Sequence, residues 1–178
     1  RNPQVKSITV TGSGQTSSFP DTAVIQAGIQ EIYKDIAAVQ AAVNSRTNQL
    51  FTALARAGID KGQVHSTEYR IEPLYSFEGN VQTIQSYRGI HLVSITVKPP
   101  GVAGETAELA LANGANEISN IRSFSSEQGT LYHQSLAAAM KNAESKARVL
   151  AQSIGVDILY PPITIVEESQ LVPYSFEA

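Results

Sequence analysis

A chain of 178 residues, 42% hydrophobic and 16% charged, has the size of one ordinary domain and needs neither a disulfide nor a metal to fold. Cysteine is absent, which excludes disulfide frameworks, thiolate metal sites and cysteine nucleophiles but leaves the redox compartment open. The formal net charge is −3 and the 13 Lys and Arg residues are scattered, so no basic stripe exists to neutralise a phosphate backbone, and nucleic acid is not an expected partner.

Lys6 to Gly12 reads as a short strand that runs into a glycine-containing stretch, VTGSGQTS at 10–17. A phosphate loop of the Walker type needs GxxxxGK and then Ser or Thr, and this stretch has neither the Lys nor the spacing. A dinucleotide fingerprint must open a helix, whereas Gly12, Gly14 and Ser17 lead through Phe19, Pro20 and Asp21 into a strand pattern. The stretch is therefore read as a bulge or turn: Gly12 and Gly14 supply backbone angles closed to β-branched residues, and Pro20-Asp21 begins the next strand.

That strand, TAVIQAGIQEIY at 22–33, puts Ala23, Ile25, Ala27 and Ile29 on one face by alternation. A helix from about Ile36 to Ala57 follows Asp35 as N-cap and carries Ile36, Val39, Val43, Leu50, Leu54 and Ala57 on one stripe. Residues 64–77 and 81–98 are two long runs around Glu78, Gly79 and Asn80, the pattern of a hairpin. A shorter helix is expected from about Val102 to Asn113 and a strand at 118–124. A last helix from about Leu131 to Ile154 has an Ala-rich stripe of Leu136, Met140, Ala143, Ala147, Leu150 and Ile154, and a strand at 163–167 closes the set.

The three helices end on similar phrases, AGID at 57–60, NGAN at 113–116 and IGVD at 154–157. Each places a glycine, Gly58, Gly114 or Gly155, at C′ in the left-handed conformation, then an apolar residue, then Asp or Asn at the exit. The order implies an α+β fold: a mixed, mostly antiparallel sheet with a long β-hairpin and helices packed on one face, as one domain over 1–168 with a tail at 169–178.

Chemistry-bearing residues are sparse. The four Asp residues, Asp21, Asp35, Asp60 and Asp157, all sit at turns or helix ends. Glu68 with Glu72, and Glu167 with Glu168, lack any setting that would split their pKa values, and AESKAR at 143–148 reads as a solvated helix face. His65, His91 and His133 have no HExxH spacing, although a site assembled from them in space stays open. No GxSxG elbow presents a serine, so no catalytic residue, cofactor or metal ligand is assigned and the chain is not expected to be an enzyme. Aromatic residues are more informative: Tyr69, Tyr75, Phe77 and Tyr87 all fall in the hairpin, where they either cover the core or form an interaction surface. Strand is longer per residue than helix, so the tip of the hairpin, with Tyr75, Phe77, Val81 and Ile84, is expected to project roughly 10 Å or more past its helical cover and to dock on a second subunit.

Four stretches carry a family resemblance: ITVTGSGQTSSFPDTAVIQAGI, ALARAGIDKGQVHSTEYRIEPLY, LALANGANEISNIRSF and AAMKNAESKARVLAQSIGVDI. In this order and spacing, from about Ile8 to Glu168, they resemble SIMPL-domain proteins, with VKPPGVAG at 97–104 as a departure at the entry to the second helix. The resemblance implies an exported bacterial protein of the periplasm or envelope, linked to self-assembly and to tolerance of stress, oxidative stress included. It implies no reaction. The chain opens at Arg1 without an initiator Met, which fits a mature protein whose signal peptide has been removed or a trimmed chain, and no run approaches the roughly 18 apolar residues of a membrane span. The expected function is that of a non-catalytic envelope protein acting as a homo-oligomer or by binding another envelope protein. The alternative is a hydrolase or small-ligand binder with an unconventional pocket between sheet and helices.

Overall fold

The computed structural model describes residues 6–168. The elements in chain order are β1 (Thr22–Tyr33), α1 (Ile36–Arg56), a 3-10 turn (Lys61–Gln63), β2 (Val64–Glu78), β3 (Val81–Val97), a second 3-10 turn (Pro100–Val102), α2 (Ala103–Ala112), β4 (Glu117–Phe124) and α3 (Gln128–Ser153). They form two compact units, residues 17–130 on the one hand and residues 6–16 with 131–168 on the other.

In the 17–130 unit the strands make one four-stranded antiparallel sheet in the order β2-β3-β1-β4. The alternation in β1 does what its pattern dictates. Ala23, Ile25, Ala27 and Ile29 are buried on one face, opposite Val93, Ile95 and Val97 of β3. Against that face lie Val39, Val43, Leu50 and Leu54 of α1 and Ala103, Ala107 and Ala110 of α2. Gly89 lets α1 come this close, because a Cβ there would overlap Val39 and stand 2.9 Å from Val43 Cγ2. The ends of the expected α1 stripe, Ile36 and Ala57, are exposed, and Asp35 at the cap position makes no side-chain bond to the helix. The departure at 97–104 is a 3-10 turn that leads directly into α2.

The helix ends follow from the glycine phrases. Gly58, Gly114 and Gly155 have φ of 84°, 112° and 71°. Behind each, the next amide reaches back to close the last turn: Ile59 N to Leu54 O at 3.0 Å, Ala115 N to Ala110 O at 3.0 Å and Val156 N to Ala151 O at 3.0 Å. The Asn that closes NGAN then joins the sheet edge by imitating backbone. Asn116 Nδ2 donates to Gln30 O at 2.7 Å and its Oδ1 accepts from Gln30 N at 2.9 Å.

In the other unit two sequence expectations are corrected. Lys6 to Gly12 is not a β-strand: it pairs with no strand among the described residues, and the chain through Thr16 lies along α3. The reason is the glycines. A Cβ on Gly12 would overlap the Ala139 carbonyl and come within 2.7 Å of Ala143 Cβ, and one on Gly14 would overlap the Ser135 carbonyl. Neither glycine has positive φ, so they serve close approach to a helix backbone rather than a bulge or turn. The Ala-rich face of α3 is the matching surface. Thr16 Oγ1 donates to Leu131 O at 2.8 Å, Ser13 N to Asn142 Oδ1 at 3.1 Å and Lys146 Nζ to Thr11 O at 2.8 Å, so the segment runs antiparallel to the helix. The expected strand at 163–167 is also absent; no described strand offers it a partner, and its residues are exposed.

Candidate functional site

The β2–β3 hairpin carries the candidate interaction surface. β1 pairs with β3 only as far as Tyr33 opposite Tyr87, whereas β2 and β3 stay paired to Glu78 opposite Val81. Residues 81–86 and their partners therefore form a two-stranded arm beyond the β1 edge, about 20 Å long at ~3.3 Å per residue. Gly79, with φ of 63°, and Asn80 turn the chain at its tip. Tyr75, Phe77, Val81 and Ile84 are between 48% and 70% exposed, so on the arm the aromatic residues do not cover a core.

Register divides these four residues. Tyr75 stands opposite Ile84 and Phe77 opposite Gln82, which puts Tyr75, Phe77 and Ile84 on the face that α1 covers nearer the base. Val81, opposite Glu78, lies on the reverse face, beside the cross-strand pair of Ser76 and Thr83 whose hydroxyls are 3.1 Å apart. A bulge at Gln85, unopposed between the Leu74–Ser86 and Tyr75–Ile84 pairs, brings Tyr87 and Ile84 to the same side.

The reverse face nearer the base is charged and internally paired. Arg70 lies between Glu68 and Glu72, at 3.2 and 3.6 Å, and Arg88 reaches Glu72 at 3.4 Å. Glu68 and Glu72 are thereby engaged in ion pairs with Arg70 and Arg88. Glu167 and Glu168 are exposed, and in the 143–148 stretch Glu144 pairs with Arg148 at 2.6 Å. His65 and His133 are exposed. Among the described residues no group of three His, Asp or Glu side chains could hold a metal ion.

Two polar clusters escaped the sequence. Asp21 accepts hydrogen bonds from Ser126 Oγ, from Thr22 Oγ1 and from Ser126 N, and these hold its carboxyl well below the usual range, at about 2. The Pro-Asp dipeptide thus clasps the start of β1 to the exit of β4. The second cluster is built on His91, which is only 6% exposed. Its Nδ1 lies 2.8 Å from Thr47 Oγ1 and its Nε2 2.7 Å from Ser66 Oγ, with Tyr69 and Phe51 edge-on to the ring at 5.3 and 6.4 Å between centroids. Burial pushes the imidazole pKa below its ordinary value. In the sequence the only signal was a histidine in an apolar strand.

The SIMPL family, described as a protein of unknown function (DUF541), matches residues 8–177. The chain belongs to the SIMPL family. Among curated relatives it is 24% identical over 157 residues to the "Uncharacterized protein YggE" of Edwardsiella ictaluri, covering 88% of this chain and 66% of that protein. It is 22% identical over 156 residues to the "26 kDa periplasmic immunogenic protein" of Brucella melitensis, covering 85% and 62%, and 24% identical over 149 residues to YggE of Escherichia coli K12, covering 84% and 61%. This SIMPL chain therefore spans less than two thirds of the length of these relatives. Among its described residues no helix is long and apolar enough to cross a membrane.

Proposed function

We propose that this SIMPL protein works in the periplasm or envelope by assembling with itself, or by docking on another envelope protein, through the hairpin arm. The observation that carries the reading is the arm itself: a two-stranded ribbon beyond the sheet with Tyr75, Phe77 and Ile84 on one uncovered face. Isolated two-stranded ribbons are marginal in water, and their free edges invite pairing. Covering what remains exposed of these three side chains is worth about 1 to 2 kcal/mol each, or about 4 kcal/mol per arm before the cost of association. A contact in which each copy contributes an arm then falls in the range where association depends on concentration. The location is supported by the Brucella relatives, which are named as periplasmic immunogenic proteins. A part in tolerance of stress, oxidative stress included, belongs to the same reading and rests on the family resemblance.

Sedimentation velocity from micromolar to hundred-micromolar protein tests the reading. The mass of the parent should rise over this range, and Phe77→Ser should move the rise to higher concentration. A parent that sediments as a monomer throughout, and that captures no envelope protein through the arm, contradicts it.

A further inference from the structure

The Ser66–His91–Thr47 cluster lies at the base of the hairpin, and its order of contacts is that of a nucleophile, a base and the group that orients the base. Thr47, on α1, holds its hydroxyl 2.8 Å from the Val43 carbonyl one turn back as well as 2.8 Å from His91 Nδ1. A threonine hydroxyl has one proton. If it goes to the carbonyl, Thr47 accepts from Nδ1–H, Nε2 keeps its lone pair, and the Ser66 hydroxyl donates to Nε2; all three short contacts then hold a proton. The opposite tautomer leaves the Thr47 oxygen facing the Val43 carbonyl with no proton between them. Burial keeps the ring neutral, so the lone pair is present at neutral pH.

A second feature brings the serine to this place. Thr67 is unopposed in β2, between the Ser66–Val93 and Glu68–Leu92 pairs. Without that bulge, simple alternation would send Ser66 and Tyr69 to opposite faces; with it, both face His91. Ser66 is exposed while the ring behind it is not, and β2 is an edge strand, so an electrophile can reach Oγ from solvent.

We propose that Ser66 is a nucleophilic serine, with His91 as its base and Thr47 as its positioning residue, that accepts the acyl group of small activated esters. Ser66 Oγ attacks the carbonyl carbon as its proton passes to His91 Nε2; the bond from that carbon to the leaving oxygen breaks, and the proton leaves with the alcohol or phenol. Thr47 is neutral where such clusters often have a carboxylate, so it orients the ring without stabilising the imidazolium. This limits the reaction to good leaving groups. The half-exposed rings of Tyr69 and Phe51 border the site and favour a small apolar acyl group. The proposal goes beyond the assembly reading and does not depend on it.

The test is intact-protein mass spectrometry after exposure to p-nitrophenyl acetate and, separately, to diisopropyl fluorophosphate, with the label located in the tryptic peptide 62–70 that Lys61 and Arg70 define. One group per chain on Ser66 is expected. It should be missing from that peptide in Ser66→Ala and form on the order of 100-fold more slowly in His91→Gln. Thr47→Val, which keeps the shape of the side chain, should also slow it and provides the comparison if His91→Gln does not fold. An unlabelled parent, a label on Tyr69 or lysine with Ser66 untouched, or equal rates in the parent and in a folded His91→Gln or Thr47→Val would overturn the proposal.

Discussion

Gly114 and Gly58 both follow a helix, but an added Cβ would meet different surroundings at each. At Gly58, φ is 84° and nothing lies within 4 Å of the Cβ that alanine would add. Gly58→Ala should therefore cost only the backbone term, about 1 kcal/mol. Gly114 has φ of 112° and its Cβ would overlap the Arg46 carbonyl oxygen, with the Arg46 carbonyl carbon at 3.1 Å. Arg46 has little room to yield, since its guanidinium is tied to Glu31 and, at 3.3 Å, to the Gly114 carbonyl. Adding about 1 to 3 kcal/mol of overpacking to the backbone term gives roughly 2 to 4 kcal/mol for Gly114→Ala. Equilibrium urea unfolding of the two variants beside the parent measures both, through shifts in midpoint at unchanged slope. If Gly114→Ala is no more destabilised than Gly58→Ala, the reasoning from close contact with α1 is wrong.

Gly155→Ala, with φ of 71° and open space around it, should resemble Gly58→Ala at about 1 kcal/mol, and a neutral result would mean that α3 does not end there. Gly12→Ala should lift the 6–16 segment from α3, seen as faster amide hydrogen exchange in those residues; unchanged exchange would refute the close packing. Asp21 has a depressed pKa in the folded chain, so what it contributes is present above its unfolded value of 3.8 and is lost as pH falls through about 2. Asp21→Asn should accordingly melt below the parent at pH 6, with the gap narrowing between pH 4 and 2, and a constant gap would contradict the clasp. The depressed His91 pKa has the same sign: its contribution is complete above 6.5 and is lost at lower pH, because the unfolded chain takes up a proton that the buried ring resists. The urea midpoint of the parent should fall more steeply from pH 8 to 5 than that of His91→Gln, and parallel curves would refute it.

What the sequence made legible was local. Glycine followed by an apolar residue and Asn or Asp marked three helix ends because the closing bonds lie within six residues, such as Ile59 N to Leu54 O. The projecting arm was legible from lengths alone, since strand rises about twice as fast as helix. What failed depended on distant partners. Alternation at Lys6 to Gly12 and at 163–167 reports an extended backbone but not what lies beside it, and in the first case a helix does. The bulges at Thr67 and Gln85 each reverse the parity of a strand, so the faces of Ser66 and Ile84 could be assigned only from the ladder itself. The same holds for the Thr47 and Ser66 hydroxyls on His91, which come from residues 44 and 25 positions away.

The arm remains the feature on which the functional account depends. Replacing Ser76 to Ile84 by an Asn-Gly turn removes Phe77, Val81 and Ile84 while leaving every β1–β3 pair from Ala23–Val97 to Tyr33–Tyr87 in place. The shortened protein should keep the fold of the parent by circular dichroism and sediment at a lower mass at the same concentration. Equal masses for the shortened and parent proteins, both folded, would contradict assembly through the arm.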